Sequence, residues 1–114
     1  MAAWSILVLF QRSEWENMLD LGLMNSVAEQ MMGAGTVTIQ GKSVPVTRTS
    51  YQRLKTVRFA MDGRQYQAIQ QNPDKPSRWG KLARDGHKVV QFRDVATGKY
   101  VAVAVDGEVK EYER

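Results

Sequence analysis

The sequence predicts an α+β fold whose mostly antiparallel sheet has about six or seven short strands in hairpins and meanders. An N-terminal helix and one short helix near residues 76–85 complete the predicted fold. Three observations carry this prediction: apolar residues at helical spacing before residue 33, alternation of polar and apolar residues in most later segments, and two Asp-Gly pairs that link such segments. The length of 114 residues suits one domain with its own core.

The N-terminal helix is expected over residues 14–32. Its apolar residues at three- and four-residue spacings are Trp15, Met18, Leu19 and Leu23. This spacing places them on one face of a helix, and the glycines at 33 and 35 end it. Two interpretations stay open. In the first, residues 1–35 are a helical extension that is dispensable before Met24, where the natural chain would start. In the second, the helix covers the apolar strand at residues 101–105 and belongs to the core.

Residues 36–114 are expected to form a single β-rich domain. The segments interpreted as strands are residues 36–40, 43–48, 55–61, 64–70, 88–93, 99–105 and 108–112. Asp62-Gly63 is a two-residue link of the kind that joins hairpin strands, so it sets the register and pairs Phe59 with Tyr66. Residues 101–105 are apolar without interruption, which is typical of a strand covered on both faces.

The short helix at residues 76–85 is expected to end at Gly86, because helices favour glycine just after their last turn. Trp79, Leu82 and Ala83 form its apolar face. Helix and strands together predict a core that contains Val57, Phe59, Tyr66, Leu82, Val101 and Val103.

Residue types that carry catalysis or hold cofactors form no recognisable set. The chain has no cysteine and a single histidine, His87, whereas zinc, copper and haem sites need several such ligands. Residues 35–43 match a phosphate-binding loop only superficially, because five residues separate the glycines where that motif has four, and strand patterns flank it. We therefore expect no catalytic residue, no metal site and no cofactor in this chain, which favours a protein that is not an enzyme. Another interpretation, an enzyme that a partner chain completes, stays open.

The apolar run at residues 2–10 is much shorter than the roughly 20 residues of a membrane-spanning helix. No basic residue precedes it, whereas secretory signals begin with basic residues. The lack of cysteine fits a reducing compartment. The sequence therefore predicts a soluble, cytoplasmic protein that does not enter a membrane.

Charge is distributed unevenly along the chain. Residues 1–35 have a net charge of −3, and residues 106–114 have a net charge of −2. Between them, residues 42–99 hold thirteen Lys or Arg against four Asp, a net charge of +9. Such a basic segment either attracts an anionic partner or forms a solvated surface.

The basic segment also holds aromatic residues, a combination that is typical of nucleic-acid-binding surfaces. The candidate nucleic-acid-binding residues are Arg78, Trp79, Lys81, Arg84, Lys88, Arg58 and Arg64. Trp79, Tyr51 and Tyr66 would stack on bases if they are exposed.

These residues predict a small non-catalytic binding or adaptor domain with an anionic partner. RNA or single-stranded DNA is the first expectation, and an acidic protein is another partner of the same charge. The alternative is a structural or protein–protein interaction module, including a homodimer that pairs through a strand edge or through the N-terminal helix.

Overall fold

The structure is a computed structural model that describes residues 12–113, with side-chain surroundings from residue 18 onward. The apolar run at residues 2–10 and the side chain of Trp15 therefore lie outside the described residues. The helices and strands are α1 (Arg12–Gly33), β1 (Thr36–Ile39), β2 (Lys42–Pro45), β3 (Thr47–Arg48), β4 (Lys55–Met61), β5 (Arg64–Gln70), α2 (Arg78–Arg84), β6 (Val89–Asp94), β7 (Tyr100–Val105) and β8 (Glu108–Tyr112).

The strands form two antiparallel sheets, which confirms the predicted α+β class. β1 and β2 make a separate hairpin, and the other six strands form a meander in the order β3-β4-β5-β6-β7-β8. Each strand of the meander thus pairs with its neighbour in the chain. Local turns make this possible: Asp62 and Gly63 have φ angles of 55° and 72°, and Asp106 and Gly107 have φ angles of 53° and 83°. Two successive left-handed residues are what a tight two-residue hairpin link requires.

The predicted β4–β5 register is confirmed. Phe59 lies opposite Tyr66 and Val57 lies opposite Ala68. The rings of Phe59 and Tyr66 stack with their centroids 6.0 Å apart, and Phe92 of β6 meets Phe59 edge-on at 5.9 Å. These three buried rings centre the core on the middle strands of the meander.

Helix α1 lies across one face of the meander, but through a different stripe from the predicted one. Its buried apolar residues are Met24, Val27, Ala28 and Met31, which follow one another at helical spacing. Met18 and Leu19, by contrast, are each 60% exposed, so the face predicted for them is wrong. The Met24 stripe shares one core with Ala102 and Ala104 of β7, so the second half of the helix covers the apolar strand. Whether the residues before Met24 are dispensable stays a prediction.

The short helix α2 covers the other face of β7, so this strand is covered on both faces, as its uninterrupted apolar sequence predicts. Trp79, Leu82 and Ala83 pack on a small cluster formed by Val89, Val103 and Val105. Of the predicted core residues, Val57, Phe59, Tyr66 and Val103 are buried. Leu82 and Val101 are half-buried and pack against the core clusters. The side chain of Ser77 caps the helix by accepting a hydrogen bond from the Gly80 amide at 3.1 Å.

Candidate nucleic-acid interface

One face of the meander points away from α1, and among the described helices only α2 packs on part of it. Side chains alternate along a strand, so the neighbours of the buried β4 residues Val57 and Phe59 point away from α1. The strand register then places a set of mostly polar side chains on this side. This set, the open face, consists of Thr56, Arg58, Gln67, Ile69, Gln71, Gln91, Arg93 and Tyr100. Helix α2 covers only the valine cluster at one corner.

The side chains of the open face form two rows across the strands. In one row, Gln67 lies between Arg58 of β4 and Arg93 of β6, and Arg93 in turn lies opposite Tyr100 of β7. In the next row, Ile69 lies between Thr56 and Gln91. The face therefore presents cations, amides and an aromatic ring side by side.

Hydrogen bonds hold these amides in place. Arg93 donates from Nη2 to Oε1 of Gln67 at 2.7 Å, and Gln67 donates from Nε2 to the Thr56 hydroxyl at 2.9 Å. Gln91 donates from Nε2 to Oε1 of Gln71 at 2.7 Å. The face is thus pre-organised, so a ligand that binds there would not have to order it first.

A pocket of about 490 Å³ opens where this face meets the adjoining loops. It is lined by Tyr51, Leu54, Ile69, Gln70, Gln71, Asn72, Lys75, Gln91 and Tyr100. Both tyrosines of the lining are well exposed: Tyr51 exposes 77% of its surface and Tyr100 exposes 60%. None of the lining residues is acidic, and Lys75 contributes a positive charge. We name it the open-face pocket.

The loop that carries Tyr51 is held by its own hydrogen bonds. Thr49 donates its hydroxyl to the Tyr51 carbonyl at 2.6 Å and accepts from the Leu54 amide at 3.0 Å. Gln52 and Arg53 have φ angles of 63° and 53°, a left-handed conformation that costs energy for residues other than glycine. Such strain persists only where surrounding contacts enforce it. The backbone of this loop therefore has a defined conformation, and it holds Tyr51 in a fixed position.

The candidate residues of α2 lie near one another, but most are engaged within the protein. Arg78 places its guanidinium 4.2 Å from the Trp79 ring centroid and 3.3 Å from Glu111. Trp79 itself is half-buried over the valine cluster. Lys81 pairs with Asp85 at 2.9 Å. Arg84 donates to the carbonyls of residues 73 and 75 at 2.6 and 2.9 Å and so braces the loop before the helix.

The remaining candidates are distributed over the molecule. Arg58 is exposed on the open face, whereas Arg64 lies on the opposite side of the sheet, 3.3 Å from the buried carboxylate of Asp94. Lys88 is exposed just before β6. Tyr66, considered for base stacking, is buried, so that expectation is wrong, while Tyr51 is exposed as stacking requires.

Sequence reasoning missed the amides and Tyr100. The available signal was the alternation itself: Gln67, Gln91 and Arg93 occupy the outward positions of strands whose inward positions are apolar. Amides at such positions are readily interpreted as ordinary solvated residues. Their hydrogen bonds to one another become visible only once the strands are paired.

The lone histidine lies apart from this face. His87 places Nδ1 2.7 Å from Oδ2 of Asp106, whose other oxygen accepts from the Lys88 amide at 2.9 Å. The backbone hydrogen bond and His87 together lower the pKa of Asp106 below its ordinary value. In the part of the chain that the structure describes, no group of three or more His, Asp or Glu side chains could hold a metal ion.

Comparison with known proteins finds no protein family, no curated protein and no solved structure that matches this chain. Neither helix of the described residues has both the length and the apolar character needed to cross a bilayer.

Proposed function

We propose that this protein is a non-catalytic binding domain for single-stranded nucleic acid, RNA or DNA, and that the strand crosses the open face. The observation that carries the proposal is the pair of exposed tyrosines, Tyr51 and Tyr100, at an amide-lined pocket on a pre-organised sheet surface. Aromatic rings on such platforms stack with unpaired bases, and each stacked base contributes roughly 1–3 kcal/mol.

The charges near the pocket support an anionic partner. Arg58 and Arg93 belong to the open face, and Lys75 lines the pocket. Glu111 and Glu113 line a second pocket towards β8, which shares Gln91 and Tyr100 with the first. A strand of phosphates would therefore run over the β4–β6 part of the face, where cations dominate.

Binding of this kind is mainly electrostatic. Three cations in reach of phosphates would give a log–log salt slope of roughly −2, since each contact on a single strand contributes about −0.7. The test is fluorescence anisotropy of the full chain with labelled decathymidylate and decauridylate over a series of salt concentrations. We expect Arg58→Gln to make the slope shallower by about 0.7. Lys42→Gln removes the same charge from the separate β1–β2 hairpin and should leave the slope unchanged.

Stacking is tested in the same assay. We expect Tyr51→Ala to weaken binding by roughly 5- to 150-fold, the equivalent of one stacked base. Absence of binding to either oligonucleotide at low salt would refute the proposed function. Displacement by polyglutamate as effective as by unlabelled oligonucleotide would point to an acidic protein as the partner.

The alternative, a protein–protein interaction module, is supported by α1. Its adjacent residues Met18 and Leu19 each expose 60% of their surface, and neighbouring exposed apolar side chains mark contact sites more often than isolated ones do. A second copy of the chain could cover this part of the helix. Light scattering over a range of protein concentrations, without nucleic acid, distinguishes a homodimer from a monomer.

A cytoplasmic setting is part of the proposal. It is supported by the absence of cysteine from the whole sequence, which fits a compartment where disulfides are not maintained. Fractionation of cells that express the tagged chain would test it.

A further inference from the structure

We propose that the open-face pocket holds one unstacked nucleobase, and that Asn72 and Gln91 recognise the polar edge of that base. This inference rests on the proposed function and extends it from strand binding to base recognition. It follows from hydrogen bonds that fix the orientation of the two side-chain amides.

The polarity of Gln91 is set by a chain of two hydrogen bonds that begins at the backbone. The carbonyl of Asn72 can only accept, so Gln71 must direct its Nε2 group there, at 3.0 Å. Oε1 of Gln71 then faces Gln91 and accepts from its Nε2 at 2.7 Å. The atom of Gln91 that is left without a partner in this chain of hydrogen bonds is its Oε1, an acceptor, and Gln91 lines the open-face pocket as well as the pocket towards β8.

The orientation of the Asn72 side-chain amide is set in the same way, but here a donor is left over. The Asp74 amide can only donate, and it donates to Oδ1 of Asn72 at 2.9 Å. The remaining group of Asn72 is its Nδ2, a donor, on a residue that also lines the pocket. The pocket therefore offers one amide donor and one amide acceptor of fixed orientation.

The rest of the lining suits a flat ring. Tyr51 and Tyr100 provide aromatic surface, and Leu54 and Ile69 provide apolar surface. A volume of about 490 Å³ lies within the usual range for small-ligand sites. A nucleobase combines apolar ring faces with donors and acceptors along its edge, and Lys75 can meet the phosphate attached to it. A neutral sugar would make no use of this cation, so a base is the better fit.

The test compares two probes that have the same backbone charge. One is labelled decathymidylate, and the other is a decamer of the same backbone whose sites are all abasic. With the full chain, we expect decathymidylate to bind at least tenfold more tightly. The side-chain amide signals of Asn72 in ¹⁵N-edited NMR spectra should shift with decathymidylate and stay in place with the abasic strand.

Asn72→Asp is the variant that isolates base recognition. Its Oδ1 can still accept from the Asp74 amide, but the free group becomes an acceptor where Asn72 has a donor. We expect about tenfold weaker binding of decathymidylate, because a hydrogen bond is replaced by repulsion between two acceptors. Thr97→Asp adds the same charge on the β6–β7 loop, where its side chain can still accept from the Lys99 amide, and should change the affinity less than threefold.

Each outcome bears on a different statement. Equal NMR shifts at Asn72 with both probes, together with a preference for decathymidylate, overturn base recognition by this pocket and leave strand binding by stacking intact. Equal affinity for the two probes overturns base recognition and the stacking on Tyr51 and Tyr100 together. Loss of the preference for decathymidylate in Asn72→Asp, with unchanged affinity for the abasic strand, supports base recognition. Failure of both probes to bind overturns the inference together with the proposed function.

Discussion

At the scale of single residues, Gly80 is the position where α2 comes closest to the loop before it. A β-carbon on Gly80 would collide with the carbonyl oxygen of Lys75, which leaves no room for any other residue. The same loop supplies Asn72 and Lys75 to the open-face pocket. Gly80 thus lets the helix and the pocket wall lie against each other.

We predict that Gly80→Ala lowers the free energy of unfolding by about 1–3 kcal/mol, as overpacking does elsewhere. Helix propensity alone would change stability by about 1 kcal/mol in the opposite direction. Urea denaturation measures the difference. Gly22→Ala is the matched control, because a β-carbon there meets nothing within 4 Å and alanine should stabilise α1. If both variants were equally stabilised, α2 would not pack against Lys75 as described.

A second residue-scale contact joins α1 to the last strand. The Tyr112 hydroxyl donates to Oδ2 of the buried Asp20 at 2.9 Å. Burial, followed by this hydrogen bond, raises the pKa of Tyr112 above its ordinary value of 10.0. Because the folded-state pKa is the higher one, the protonated hydroxyl stabilises the fold fully below about pH 10, and this contribution is lost as the pH rises further.

We predict that Tyr112→Phe lowers the free energy of unfolding at neutral pH by about 1.5–3 kcal/mol, the usual range for a hydrogen bond to a charged group. Above pH 10, the free energy of unfolding should also decrease less steeply in this variant than in the unmodified chain. Urea titrations at several pH values measure both effects. Tyr51→Phe removes an exposed hydroxyl and should alter neither, whereas an unchanged alkaline profile in Tyr112→Phe would contradict the assignment.

At the scale of elements, α1 has two parts with different surroundings. From Met24 to Met31 its inner stripe is fully buried, and Asn25 accepts from the Val109 amide of β8 at 2.8 Å. Between residues 18 and 23, the contacts with the rest of the protein include the Asp20–Tyr112 hydrogen bond and the partial packing of Leu21 and Leu23. Within residues 18–33, the fully buried apolar side chains of the helix therefore begin at Met24.

We predict that a chain beginning at Met24 keeps a cooperative thermal transition at a lower midpoint, because the buried stripe remains and the Asp20 contact is lost. Calorimetry and the dispersion of amide signals measure the result. A broad, non-cooperative transition would show that the residues before Met24 are integral to the domain. A midpoint equal to that of the full chain would show that Asp20 contributes nothing.

At the scale of the whole molecule, the basic middle segment does not become one basic surface. Arg64 neutralises Asp94, Arg84 braces a loop, and Lys55 donates to the Met32 carbonyl near the end of α1 at 3.3 Å. A net charge of +9 over residues 42–99 therefore overstates what a ligand on the open face would meet. The shallow log–log salt slope proposed above follows from this, because these cations are already engaged in contacts within the protein.

The candidate site was predictable only in part. The sequence named Arg58 as a candidate nucleic-acid-binding residue and Tyr51 as a stacking residue on condition that it is exposed, and only the structure shows that this condition is met. Gln91 and Asn72 were not named, because an amide shows no sign of function until its partners are known. Gln71 and Gln91 lie 20 positions apart in the chain, and only the β5–β6 pairing brings them together.

The sequence by itself determined the turns and the hairpin register, which depend on residues close together in the chain. Asp62-Gly63 adopts the left-handed turn that it favours, and this turn sets the Phe59–Tyr66 register. The buried face of α1 could not be determined from the sequence, because Met18 and Leu19 also lie at helical spacing from other apolar residues. Only tertiary packing decided that Met24 and Met31 face the sheet, because apolar side chains gain from burial wherever a complementary surface exists. The same long-range packing decided which face of the meander stays open, and therefore where a ligand could bind.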